Sequence, residues 1–377
     1  MFRGIAFNRN ELAGSFGDLG TDLPLLMGMI AANGVDPAST FIVFGSLQCL
    51  TGLMYGMPMP VQPLKAIAAI MITTGSRPEL MYGAGLVLGA VMLVLSVSGW
   101  MTKLAAWMPL SVVRGLQFGL GMNLMLVAAG YMRKTGEAGW LIAAAGILLV
   151  LYLGQNRKIP VSLLLAASGL VIAWFTDLRQ DVILSGWGFS LPRPHIPAWE
   201  DMLNGALLLA IPQIPLSLGN SIIATSLLVS DLFPGRKDIT VRKISFTYGL
   251  MNLAVPFLSG VPVCHGAGGL AGHYRFGART GGSVILYGLI YLIFGVFFAA
   301  VIGEIVKIFP FPILGVLLFF EGFALARLLG AASDSPSDLA TALWVGIMII
   351  ALPYGYLIGM VSGVMVYYGL KWNRFAL

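Results

Sequence analysis

PMPVQPLK, residues 58–65, sets three prolines within six residues in the middle of an apolar chain. Each proline removes a backbone donor and clashes with the preceding helical turn, so this stretch cannot lie inside a regular helix. The spacing predicts an extended run to about Gln62 and then a half-helix opened by Pro63, where a missing N–H matters least. A helix N-terminus within the membrane presents free N–H groups and partial positive charge, which favours an anion. Gln62 can add a side-chain donor there, and Lys65 a full charge.

The stretch has a partner. Residues 44–63, FGSLQCLTGLMYGMPMPVQP, lie against 248–267, YGLMNLAVPFLSGVPVCHGA, at a constant offset of 204. The register pairs Gly45 with Gly249, Gly56 with Gly260 and Pro58 with Pro262. Further on, Tyr82 and Gly83 match Tyr287 and Gly288, and Pro109 and Gly121 match Pro310 and Gly322. Interrupted segments at corresponding positions of two halves point to a transporter's binding site. In the second segment, glycines 266, 268 and 269 leave the backbone bare, so a ligand can approach its amides closely. Two half-helices facing each other would hold a tetrahedral dianion without a fixed pair of buried cations.

The rest of the chain has the composition of a membrane protein. Its 377 residues are 58% hydrophobic and 10% charged, with Gly 48 and Pro 20. A soluble domain carries about 25% charged residues, so this chain could not cover a water-facing surface. The net charge of +6 fits loops enriched in Lys and Arg better than nucleic-acid binding. The first ten residues are too short and polar for a cleavable signal, and Asp18 and Asp22 follow them. Cys49 and Cys264 both sit in apolar context and imply no disulfide framework.

Apolar segments fall at about 12–33, 38–56, 58–74, 80–100, 109–130, 138–153, 159–175, 202–230, 244–260, 262–274, 282–303, 310–329, 338–352 and 353–370. The third and tenth, short and rich in Gly or Pro, read as half-helices. Seven segments per half predict inverted halves: residues 1–175, a linker at 176–199 on the outer face, and residues 200–377, with no soluble domain after residue 374. A cytoplasmic N-terminus puts fourteen basic residues on inside loops: Arg3, Arg9, Lys103, Arg157, Lys158, Arg236, Lys237, Arg242, Lys243, Arg275, Arg279, Arg327, Lys371 and Arg374. Six fall outside: Arg77, Arg133, Lys134, Arg179, Arg193 and Lys307. That asymmetry follows the positive-inside rule, and Lys65 and Arg114 remain within or at the margin of spans.

Four blocks carry a resemblance: GDLGTDLPL (17–25), PMPVQPLKAIA (58–68), PQIPLSLGNSI (212–222) and PVCHGAGGLAGHYRFGAR (262–279). With them the chain resembles, over essentially its whole length, the molybdate transporter family, a branch related to the sulfate permeases. The resemblance implies an all-α polytopic protein of the uracil-permease type, with seven plus seven inverted spans forming core and gate domains. It also implies uptake of molybdate into the cell across the inner membrane, without the C-terminal regulatory domain of typical sulfate permeases. Mapped onto this sequence, it places the anion between the starts of spans three and ten. Gln62, Lys65, Cys264, His265, Gly266, Ala267 and Gly268 are the candidate contacts, closed over by Thr21 of span one and Gln213 of span eight. Dimers are common on this fold, so a homodimer is an expectation by analogy.

Each candidate also has a plainer reading. Lys65 could snorkel or pair with a carboxylate, although ionisable groups inside a membrane are usually functional. His265 could simply hydrogen-bond a backbone carbonyl. Glu321, within span twelve, could bridge helices of the gate. Asp18 and Asp22 could be solvated helix-end residues; beside a dianion they would repel it unless protonated or paired, which is the logic of proton symport. Cys264 and His265 lack further ligands for a metal, His273 being eight residues on. No G-x-x-x-x-G-K-[ST] or H-E-x-x-H motif occurs, so neither ATP hydrolysis nor zinc proteolysis is indicated, and no cofactor is implied. The expectation is proton-coupled molybdate import. A sulfate or general oxyanion permease and an anion channel or sensor are the alternatives.

Overall fold

The computed structural model describes residues 4–101, 103, 107–154, 161–176 and 186–372. Arg3, Arg157, Lys158, Arg179 and Arg374, with residues 177–185 of the expected linker, lie outside that set. The first expected span is two helices, α1 (Arg9–Ser15) and α2 (Leu19–Asn33), broken at residues 16–18. After α3 (Pro37–Tyr55) come β1 (Val61–Pro63), α4 (Lys65–Thr74) and α5 (Pro78–Ser98). Next are α6 (Leu110–Arg133), α7 (Gly136–Leu153) and α8 (Val161–Thr176). The second half begins with the long helix α9 (Trp199–Leu232). It continues with α10 (Val241–Ala254), β2 (Val263–His265) and α11 (Ala267–Arg275). The last helices are α12 (Gly282–Phe297), α13 (Ala299–Ile308), α14 (Phe311–Ala326), α15 (Pro336–Ala351) and α16 (Gly355–Lys371).

Among the described residues, six helices are long and apolar enough to cross a membrane, or seven counting α12 and α13 as one span bent by 95°. Each of the fourteen apolar segments read from the sequence has its helix or half-helix here. The helices pair into two groups: α3 lies along α12 and α5 along α10, while α6 lies along α14 and α15. Small residues allow the close approach. Gly45 meets the backbone of Gly288, and Gly121 meets that of Gly322. The first group, α1–α5 with α9–α13, is the core; α6–α8 with α14–α16 form the gate.

Two details differ from the sequence reading. The fold is not purely helical, because β1 and β2 form an antiparallel two-stranded sheet between the half-helices. Pro63 is also not the first residue of α4. It pairs with Val263, the Leu64 N–H donates to Pro262 O at 3.0 Å, and the helix starts at Lys65. The strand pairing holds the chain extended for two residues longer than the proline alone requires.

The pairing register carries the symmetry. Val61 lies opposite His265, and these two are the offset of 204 apart, so the pseudo-two-fold axis passes through this pair. Gln48 and Asn252 share that offset and have the same task. The Gln48 amide donates to Val61 O at 2.8 Å and accepts from Val61 N at 3.1 Å. The Asn252 amide donates to Val263 O at 2.6 Å and accepts from Val263 N at 2.9 Å. An irregular backbone buried in a membrane must have its polar groups satisfied by protein, and these two side chains do that for the strands.

Candidate functional site

A cavity of about 380 Å³ lies where the half-helices begin. Its wall includes Gln62, Lys65, Gln213, Cys264, Gly266, Ala267 and Gly268 from the core and Arg114 from the gate. At about 30 Å³ per water in the liquid, it has room for a small anion with several waters.

The two half-helix ends are not equivalent. At α4, the Gln213 side-chain oxygen accepts from Ala66 N at 2.9 Å and Ile67 N at 3.3 Å. Gln213 is held for this by donating to Ser217 Oγ at 3.1 Å, which in turn meets Tyr248 Oη at 2.7 Å. Around Gln213, α9 widens into π-helical turns at Ala206–Ala210 and Ser217–Ile223, which absorb Pro212 and Pro215. At α11, no side chain caps the helix, and among the described residues no protein acceptor takes the amides of Ala267, Gly268 or Gly269. The open helix end is therefore the second one.

Glycine has a distinct reason at each position. A Cβ on Gly266 would collide with the Gln62 amide, and one on Gly269 with Asp18 and Pro60. A Cβ on Gly268 would meet nothing, because it points into open space.

Two acidic residues bond directly to residues of the cavity wall. Gln62 donates to Asp18 Oδ1 at 2.6 Å, and Asp18 Oδ2 has no partner. Tyr287 donates to Asp22 Oδ2 at 3.2 Å, and Asp22 Oδ1 has no partner. Both aspartates are buried. Lys65 Nζ meets Glu321 Oε1 at 2.6 Å, and Thr21 donates to Glu321 Oε2 at 3.2 Å.

Gln62, Lys65, Gln213, Cys264, Gly266, Ala267 and Gly268 thus line one cavity, whereas Thr21 and His265 do not. Thr21 is turned to Glu321. His265 faces the opposite side of β2, with Nε2 2.8 Å from Thr247 Oγ1 and Nδ1 3.3 Å from Pro60 O. Its ring packs edge-on against Tyr55, whose hydroxyl also meets Thr247 at 2.7 Å. The side-chain alternation of a strand explains this: Cys264 turns to the cavity and its neighbour turns away. Gln213, read as an anion contact, also caps a helix. Sequence reading missed Gln48, Asn252 and the Lys65–Glu321 pair. The shared offset of 204 could have singled out the first two.

Opposed half-helices joined by paired strands, on a seven-plus-seven scaffold, define a multi-pass membrane fold of the sulfate-permease type. Two solved structures share the fold. The transmembrane domain of a cyanobacterial bicarbonate transporter, BicA, aligns with TM-score 0.66 at 14% identity, covering 98% of each chain. Murine Slc26a9, an anion transporter in the inward-facing state, aligns with TM-score 0.71 at 13% identity, over 98% of this chain and 69% of that one.

The chain belongs to the molybdate transporter family. A family profile described as "Molybdate transporter of MFS superfamily" matches residues 10–124 and 205–325. Molybdate transporter 1 of Arabidopsis thaliana is 34% identical over 97% of this chain and 88% of its own length. Molybdate transporter 2 of the same plant is 36% identical over 84% of this chain and 78% of its own.

Proposed function

We propose that this protein imports molybdate with protons by alternating access, holding the anion between the open end of α11 and the Lys65 ammonium. The observation that carries the reading is the asymmetry of the cavity. The amides of Ala267 to Gly269 are free at a helix N-terminus, Lys65 stands opposite, and nothing else in the wall competes for those amides. Gln62 holds Asp18 close by, and Cys264 and Gly266 shape the floor. Relatives named for molybdate transport support the choice of ion.

Coupling to protons rests on Asp18 and Asp22. Each is buried with one oxygen unpartnered, and an ionised carboxylate so placed is costly beside a dianion. A proton carried in with the anion offsets that repulsion. The basic loops favour cytoplasmic termini. Arg114 near the start of α6 and Leu328 beyond α14 line the cavity and lie toward loops of that cytoplasmic set, which supports a cavity open to the inside. The fold leaves a homodimer in the surrounding lipid as the working assembly, by analogy with its class.

The test is molybdate accumulation in proteoliposomes, read by elemental mass spectrometry, with and without an inward proton gradient and excess sulfate. Gradient-driven accumulation that survives sulfate supports the proposal. Accumulation abolished by sulfate moves the substrate to sulfate-type oxyanions, and equilibration without accumulation makes the protein a channel. Asp18→Asn is expected to weaken the dependence on the gradient while downhill exchange of molybdate persists; a mutant driven by the gradient as strongly as wild type would take coupling away from Asp18.

A further inference from the structure

Among the described residues, the ion pairs other than Lys65–Glu321 lie in the core and linker or within one loop or helix. Lys65–Glu321 alone joins core to gate. Glu321 is the single charged residue of α14, in an otherwise apolar sequence, FPILGVLLFFEGFALA. Its backbone belongs to the gate, yet both its carboxylate oxygens bond to the core, one to Lys65 and one to Thr21. A lone carboxylate in such a helix is expensive to keep and is by default a functional group.

The pair also poses a conflict for transport. Lys65 is the cation facing the free amides of α11, and Glu321 already occupies it. An ammonium neutralised at 2.6 Å attracts a dianion weakly, and the dianion would meet the Glu321 charge as well. A sliding core would further have to break both hydrogen bonds that Glu321 makes to it. One event resolves all three difficulties, namely neutralisation of Glu321 by a proton.

We propose that Glu321 is a protonatable latch: while charged it holds Lys65 and Thr21 and bars the anion, and on taking up a proton it releases Lys65 to the anion and frees the core from the gate. The inference rests on the proton-coupled reading above and adds a residue to it. The step is a proton transfer only, with the proton bound at a carboxylate oxygen of Glu321 on one side of the membrane and lost from it on the other.

Other charges near Glu321 set the background. From α2 and the residue preceding it, Asp22 and Asp18 add negative charge, and from α4 Lys65 adds positive charge. From α6, Arg114 reaches the same cavity, about two turns along the helix from the Gly121–Gly322 contact. Arg133 and Glu137 of α6 and α7 and Arg327 beyond α14 are exposed, and α8 carries no charged residue.

The experiment is equilibrium binding of molybdate to the full chain in detergent, across the pH range where molybdate itself stays a dianion. If one proton enters Glu321 with each anion, wild-type affinity strengthens by at least about tenfold per pH unit as pH falls. Glu321→Gln is expected to lower the slope of log Kd against pH by about one and to bind at least about tenfold tighter than wild type at the alkaline end. Glu321→Asp, which keeps the charge, is expected to retain the slope and guards against a general effect of substitution. A Gln variant with the wild-type slope, or with weaker binding throughout, overturns the latch. Failure of the underlying reading looks different: wild-type protein would then show neither a slope nor gradient-driven accumulation.

Discussion

The two half-helices come from matching positions of the two repeats, yet they solve the same electrostatic problem in opposite ways. In the first, α4, the leading amides are satisfied by Gln213 from α9, and positive charge is delivered by a side chain, Lys65. In the second, α11, there is no cap and no cation in the first turn, and the backbone itself is offered through Ala267 and Gly268. Symmetry therefore sets where the ends meet, and its breaking decides which end is available to a ligand. A site made of one bare helix end and an ammonium, with the Arg114 guanidinium in its outer wall, fits an ion with charge spread over several oxygens, which takes hydrogen bonds on one side and a point charge on the other.

Substitutions at the two half-helix ends test this asymmetry. Lys65→Ala is expected to have the largest effect. Truncating a partly buried, hydrogen-bonded charge is expected to cost about 2 kcal/mol of affinity, or about 30-fold in Kd. The protein should still insert and purify as a folded species by size exclusion, although Glu321 is left without its partner. Normal uptake kinetics would remove Lys65 from the site.

Next come two glycines two residues apart. Gly266→Ala drives a methyl into the Gln62 amide, so overpacking should destabilise the protein by about 1–3 kcal/mol in a thermal or denaturant melt. Gly268→Ala puts its methyl in open space. Its stability should stay within about 0.5 kcal/mol of wild type, while molybdate affinity drops because the methyl occupies the approach to the amides. Equal loss of stability in both variants would mean that residue 268 is not on the open wall.

The smallest effect on binding is expected from Gln213→Ala. Removing a cap costs about 1 kcal/mol of stability, but the anion contacts at α11 remain. Binding lost to the same degree as in the Lys65 variant would make Gln213 a ligand contact. Binding strengthened tenfold or more would mean that the uncapped α4 end is the better seat, reversing the asymmetry.

What the sequence disclosed follows from the range of the interactions involved. Prolines at 58, 60 and 63 and glycines at 266, 268 and 269 act on the local backbone, so the half-helices were legible, as was the offset of 204 that relates the repeats. The strand pairing between them was not, since Val61 and His265 meet only after two half-chains have folded. His265 was read toward the cavity because its neighbours are cavity residues, but strand alternation turns its ring to Thr247. Gln213 reads as a candidate contact and lines the cavity, though its task at the α4 amides depends on a contact across 147 residues. Glu321 stood out as a charge in an apolar span, and only the fold brings it to Lys65, 256 residues away in the chain.

The most direct test of the asymmetric site is anomalous diffraction at the molybdenum edge from crystals of the protein soaked in molybdate. One strong peak is expected within hydrogen-bond reach of the Ala267 and Gly268 amides and facing Lys65 Nζ. A peak seated instead at the α4 end beside Gln213, or away from both half-helices, would contradict it.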